Sequence, residues 1–411
     1  MFVIYSKFKS NYICTLYFTF CMTSNTIFDN TETAFQLKSD SELERAYFLF
    51  KMISMEPLVK IGSAVTKFAL NVNLPVEGLI RSTVFDHFCG GVNETDCMTT
   101  VEKLFDVGVS SVLDFSVEGK EEDAQFEATA NKVIELTKLS KNMESMPFSV
   151  FKPTGFGRFK VWQKITENEP LTDAEKVYWQ NIENRYDRVS KVAHDCGIRL
   201  LIDAEESWMQ DAADELCETM MEKYNQERPI VFNTLQCYRW DRLEYLKNLH
   251  QKAKTKGYKL GFKIVRGAYL EKENERAIEK GYKSPICESK KATDDNFNEI
   301  LKYILNNLND IELFVGTHNE SSTYLAMDIM TEKGISKSDD RVWFGQLFGM
   351  SDHISFNLGA IGYNVAKYIP FGPVKDVMPY LIRRAEENTS VAGQTSRELT
   401  LLKKEKERRK L

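Results

Sequence analysis

"GFKIVRGAY", residues 261–269, starts as a short β-rich apolar run and ends in an arginine, two small residues and a tyrosine. A run too short for a helix and bounded by turn residues reads as a buried strand that delivers its last residues to a loop. Seven other segments have the same form: "SSVLDF" (110–115), "FSVFKPT" (148–154), "RLLIDAE" (199–205), "PIVFNTLQ" (229–236), "ELFVGTH" (312–318), "RVWFGQLFG" (341–349) and "VAKYIPFG" (365–372). Amphipathic helical stretches such as 129–143 and 241–257 separate them. This alternation predicts an α/β fold in which eight parallel βα units close into a (β/α)8 barrel over residues 106–411. A doubly wound sheet is the competing topology, but its nucleotide fingerprint is missing. No GxGxxG joins a strand to a helix, there is no GxxxxGK[ST], and "GFGR" (155–158) is read as having no helix after it.

Upstream, residues 38–105 read as a helical N-terminal region, opened by a capping-box pair, Ser39 and Glu42. Residues 1–37 are expected to be poorly ordered. The apolar run at 12–21 is too short to span a bilayer, no small-residue cleavage site follows it, and the first arginine is Arg45. Met22 is therefore the expected natural start.

Apolar residues make up 43% of the 411, and the net charge is −6, so no global basic field invites nucleic acid. The basic run "KKEKERRKL" (403–411) reads as a solvated helix end. The eight cysteines form no CxxC pair and no zinc-type spacing with the five histidines. No metal site is expected, and the scattered cysteines read as the reduced thiols of an intracellular protein.

The polar residues that end the strands say most about function. Asp114, Lys152, Asp203 with Glu205, Gln236, Arg266, His318 and Tyr368 all fall where a barrel opens its strand ends onto one face, the face on which active sites are built. Seven strands of eight sending charged, amide, imidazole or phenol groups to one mouth is hard to explain as structure alone. Beyond them, "YLIRRAEEN" (380–388) carries adjacent Arg383 and Arg384, about 100° apart on a helix. On their own they would pair at the surface with Glu387, at i+4 and i+3.

Eight motifs in order, "VFDHFCGG" (84–91), "IDAEES" (202–207), "FNTLQCY" (232–238), "KIVRGAYLEKE" (263–273), "GTHNE" (316–320), "FGQLFGM" (344–350), "YIPFGPV" (368–374) and "YLIRRAEEN", resemble the single-function proline dehydrogenases over most of residues 80–400. "VRGAY" combined with the terminal "YLxRRxxEN" carries most of that specificity. The resemblance implies a distorted barrel holding noncovalent FAD across its strand ends, oxidation of L-proline to 1-pyrroline-5-carboxylate, and transfer of the electrons to a quinone. The residues fit such a substrate. Proline is a zwitterion, and the planar, always-charged forks of Arg383 and Arg384 suit its carboxylate, with Lys152 as a third cation. Asp203 is the acid that orients the amine or holds these cations, and it also reaches the cofactor. By resemblance, Arg266 lies beside flavin N5, where a cation stabilises the reduced form. Gly267 and Ala268 keep the strand end slim for the isoalloxazine, and Gln236 bonds the flavin edge. Thr317, His318 and Asn319 lie near the ribityl and adenine portion, and Glu387 also contacts FAD. Tyr269, Leu347, Tyr368 and Tyr380 line the substrate pocket, Leu347 as an apolar wall over the proline ring.

Pro153-Thr154-Gly155 follows Lys152 where the family commonly has Leu-Thr-Ala, so a local difference in backbone is expected. The chain has no room for an aldehyde dehydrogenase module or a ribbon-helix-helix segment, so the product is expected to pass to a separate pyrroline-5-carboxylate dehydrogenase. A quinone acceptor implies a membrane, reached peripherally from the cytoplasm; a mitochondrial location is the alternative. Two other readings compete, a hydroxyproline dehydrogenase and a non-catalytic barrel that binds flavin or an amino acid. Tyr368, in place of the small serine of hydroxyproline-type relatives, favours proline.

Overall fold

The computed structural model describes residues 26–55, 77–116, 121–390 and 394–411. The segment before Met22 and that residue as the start therefore lie outside the described residues. Eight strands form one parallel sheet: β1 (Ser110–Phe115), β2 (Phe148–Phe151), β3 (Arg199–Ile202), β4 (Val231–Gln236), β5 (Leu260–Val265), β6 (Ile311–Gly316), β7 (Val342–Leu347) and β8 (Val365–Phe371). Their order is β1-β8-β7-β6-β5-β4-β3-β2, and among the described residues no ladder joins β1 to β2. The barrel is thus nearly closed, with one seam. At its lower end Ser111 N–H donates to the carbonyl of Ser145 at 2.7 Å. Six of the eight expected strands run one to four residues too far at their carboxyl ends, because those residues leave the ladder to form the mouth; β1 and β4 end as expected.

In chain order the helices are α1 (Thr31–Ala34), α2 (Asp40–Ile53), α3 (Glu77–Ile80), α4 (Asp86–Phe88), α5 (Glu94–Phe105), α6 (Asp123–Ser140), α7 (Phe159–Thr166), α8 (Asp173–Cys196), α9 (Ser207–Tyr224), α10 (Arg242–Lys256), α11 (Leu270–Lys280), α12 (Lys290–Leu305), α13 (Glu320–Glu332), α14 (Asp352–Ala360), α15 (Val374–Ser390) and α16 (Gln394–Arg409). The strands are buried on both faces, which is why they read as continuous apolar runs. Inward positions (Val112, Val150, Leu201, Phe232, Ala366, Tyr368) pack around Phe148 and Phe314, which meet edge-on at 5.1 Å. Outward positions such as Phe262, Ile264, Val365 and Ile369 pack beneath the helices.

Three expectations change. Residues 26–37 are ordered, not part of a loose leader: Phe28, Ala34 and Phe35 are buried, and Phe28 packs on Tyr324 at 4.5 Å. A helix, α7, does follow "GFGR", although the glycine spacing remains unlike the fingerprint. The basic end is not simply solvated. It belongs to α16, whose Leu401 and Leu402 pack against Leu43, Ala46 and Phe50 of α2, while Arg409 donates to the carbonyls of Phe35 and Lys38. The Ser39–Glu42 capping box is present at the start of α2. No helix among the described residues is long and apolar enough to cross a membrane.

Candidate active site

Five side chains from five strands meet at the mouth as a chain of alternating charge. Asp114, at the end of β1, accepts from Ser116 Oγ at 2.6 Å and from Lys152 Nζ at 3.2 Å across the β1–β2 seam. Lys152 follows β2 and lies 3.7 Å from Asp203, which follows β3. The other oxygen of Asp203 takes a close ion pair from Lys263 of β5, and Lys263 also donates to the phenol oxygen of Tyr368 on β8 at 3.0 Å. Two ammonium groups between two carboxylates leave this chain neutral, so a zwitterion can bind by exchanging partners instead of adding net charge.

Lys263 was not among the candidates drawn from the sequence. Strand periodicity was the available signal: Lys263 shares the inner face with Gly261, where an added Cβ would lie 2.5 Å from the interior ring of Phe232. Arg266, three residues on, goes elsewhere. It pairs with Asp294 of α12 at 2.6 Å, donates to Thr317 Oγ1 at 2.7 Å and Ser322 Oγ at 3.0 Å, and lies 4.5 Å from the ring centroid of Phe297. None of these contacts is with the Lys152–Asp203–Lys263 group.

Helix α15 follows β8 in the chain and meets the end of β7 at Leu347. Its apolar face (Val374, Val377, Met378, Leu381) packs with Phe85, Phe88 and Met350, and Leu347 touches both this cluster and the barrel interior that includes Tyr368. Tyr380 is buried with this face, and Arg384, 8% exposed, lies 5.4 Å from the ring centroid of Tyr380. Arg383 is half-buried on the same turn. The side chain of Glu387 lies outside the described residues. His318 is held neutral: burial first, then the charges of Lys367 and Arg384, push it down to about 3, and its Nδ1 lies 2.9 Å from Ser351 Oγ.

The cofactor-side candidates divide. Gln236 Oε1 is buried at the end of β4 with no partner among the described residues. A buried acceptor left unmade costs about 1–3 kcal/mol, so a bound group that carries N–H donors suits Gln236. Gly267 has φ +130°, and a Cβ there would lie 2.5 Å from the Tyr238 ring, so the narrow turn before exposed Ala268 requires glycine. Tyr269 is buried at the start of α11. Thr317 accepts from Arg266 and from the backbone N–H of Asn319, and Asn319 Oδ1 caps α13 through Ser322 N–H at 2.9 Å. Asn319 and Arg266 therefore shape this wall through Thr317 and Ser322. The Pro153-Thr154-Gly155 turn is fixed by Glu205, whose carboxyl accepts from Thr154 N–H at 2.9 Å and Thr154 Oγ at 2.7 Å. Burial, followed by the charge of Glu206, raises Glu205 to about 8. Among the described residues no group of His, Cys, Asp and Glu is arranged to hold a metal ion.

A family model for proline dehydrogenase matches residues 97–397. The carbapenem antibiotics biosynthesis protein CarD of Pectobacterium carotovorum is 34% identical over 333 residues, covering 81% of this chain and 86% of that protein. Mitochondrial proline dehydrogenase 1 of Dictyostelium discoideum is 31% identical over 431 residues, covering 92% and 74%. Hydroxyproline dehydrogenase of Xenopus laevis is 31% identical over 413 residues, covering 91% and 88%. Among solved structures, proline utilization A of Bdellovibrio bacteriovorus inactivated by N-propargylglycine shares the fold with a TM-score of 0.66 at 18% identity. That match covers 90% of this chain but only 37% of the solved one. With most of its length under the family model and relatives above 30% identity across nine-tenths of it, this chain belongs to the proline dehydrogenase family of oxidoreductases.

Proposed function

We propose that this protein oxidises L-proline to 1-pyrroline-5-carboxylate on noncovalently held FAD and passes the electrons to a quinone. The product then goes to a separate dehydrogenase, and the acceptor brings the protein to the surface of a bacterial or mitochondrial membrane. The observation that carries this reading is the neutral chain Asp114–Lys152–Asp203–Lys263–Tyr368 at the strand ends, followed in the chain by the buried Arg384 of α15. Lys152, Arg383 and Arg384 take the carboxylate. Asp203, already shared between two ammonium groups, orients the amine, which reacts as the neutral form after giving a proton to water. Leu347, Tyr368, Tyr269 and Tyr380 exclude water from the ring. Gln236, Gly267, Ala268, Thr317, His318 and Glu387 would hold the cofactor, with Arg266 and Asn319 bracing that wall. When bound, the flavin supplies the two-electron acceptor for the hydride on the carbon next to nitrogen. Lys263, as the interior cation of β5, takes over from Arg266 the role of offsetting negative charge on the reduced cofactor.

Purified protein should be yellow, release all its colour on denaturation, bleach with L-proline without oxygen, and recover colour with a soluble quinone. Yellow protein that proline leaves unbleached would overturn the assignment. The hydroxyproline reading is disfavoured by Tyr368, whose phenol oxygen accepts from Lys263 and whose hydroxyl is also hydrogen-bonded to Asp203, so it is already engaged on both sides.

A further inference from the structure

A second group of buried charge lies on the outer side of β8. Lys367 neighbours Tyr368 in sequence but points the other way, and its side chain is fully buried. Its ammonium lies 2.9 Å from Asp352 Oδ1 and donates to the carbonyls of Met350 at 2.5 Å and Leu347 at 3.4 Å. Those three acceptors match the three donors of an ammonium group. The second oxygen of Asp352 lies 3.0 Å from Lys38, which comes from the segment leading into α2. Burial alone would raise Asp352, but Lys367 and Lys38 outweigh it and hold the carboxyl well below the usual range.

What these charges grip is the connection from β7 to α14, residues 347–352. It begins at Leu347, the pocket wall, and Phe348 N–H is tied to the carbonyl of Tyr368 at 2.8 Å. Gly349 has φ +77°, and a Cβ there would lie 2.2 Å from the carbonyl oxygen of His87. Ser351 has φ 50°, a left-handed conformation that a non-glycine residue adopts at a cost of about 1–2 kcal/mol, and its hydroxyl meets His318. The connection is thus held in a shape its own backbone does not favour, and the groups that hold it act from outside the barrel.

We infer that Lys367, Asp352 and Lys38 are positioning residues for the substrate pocket: they fix residues 347–352 from behind and so set Leu347, Tyr368 and His318. This rests on the proposed function. It makes the ordered N-terminal segment, through Lys38, part of what shapes the pocket.

The test uses Lys38→Met, Asp352→Asn and Lys367→Met in the full chain. The first two carry it if the third fails to fold, since Lys38 is peripheral and asparagine keeps the shape of Asp352. Hydrogen exchange at 347–352 should speed up with bound flavin retained. KM for proline should rise about tenfold, within the hundredfold that a ~1 Å misplacement can cost, and the ratio of kcat/KM for proline over 4-hydroxyproline should shift about threefold or more. Variants that lower the melting temperature but leave exchange at 347–352, KM and the substrate ratio at wild-type values would reduce the cluster to a structural ion pair. The exchange measurement needs no turnover. If the wild type fails to oxidise proline while exchange still responds, the proposed function falls and the grip on the connection stands.

Discussion

Arg384 keeps 8% of its surface exposed on α15, and a charge so nearly desolvated makes strong use of an anion that reaches it. A charge-assisted contact of this kind contributes about 1.5–3 kcal/mol, so Arg384→Met should weaken proline binding roughly 10- to 150-fold while flavin stays bound. Wild-type KM and kcat would return Arg384 to the surface-pairing role its spacing from Glu387 allows. Lys263→Met should lower the two-electron midpoint potential of the bound flavin, because a cation that offsets charge on the reduced form is lost. An unchanged or raised potential would hand that role back to Arg266. Tyr368→Ser should lower kcat/KM for proline and narrow the gap with 4-hydroxyproline, since it removes a phenol that leaves an added hydroxyl unpaired at a cost of about 1–3 kcal/mol. A variant with the wild-type substrate ratio would show that Tyr368 only packs at the rim. Of these residues, Arg384 and Tyr368 stood out in the sequence because each lies in a motif. Lys263 did not, because a single lysine inside "GFKIV" looks like a flaw in an apolar run until strand parity turns it inward.

At the scale of elements, β1 emerged with its observed bounds, whereas β3 and β5 were read past their ends, through Glu205 and Tyr269. Extended backbone that leaves a ladder keeps the composition of a strand, and only the pairing partner, which one sequence does not display, marks the exit. The turn after β2 shows what lies past such an exit. Glu205 grips Thr154 there with both oxygens, and its carboxyl is raised from an ordinary 4.5 to about 8. The folded state therefore holds a proton that the unfolded chain releases over that interval, and stability attributable to Glu205 is present at the acidic end and lost as pH rises toward the alkaline end. Glu205→Gln keeps the shape without the titration. Its melting temperature should gain on wild type as pH rises through the window, and a constant difference between the two would show that Glu205 is ionised throughout.

Across the whole molecule, the βα rhythm was legible because every unit repeats one pattern, while the ordering of residues 26–37 was not. That segment is held by distant partners, Tyr324, Arg397 and Arg409, which no local composition reveals. The seam between β1 and β2 was equally silent, since strands that pair and strands that merely approach look alike in sequence. It carries a consequence for how the protein feels its ligand. A hoop with a gap can widen or narrow there without breaking a rung, and a cross-tie near its upper rim, from Lys152 to Asp114, is borrowed from the groups a substrate carboxylate would engage. Filling the mouth should thus change the bore of the barrel. Backbone amides of residues 110–115 and 148–151 should report proline by altered exchange, and identical exchange with and without proline would show that the gap is rigid.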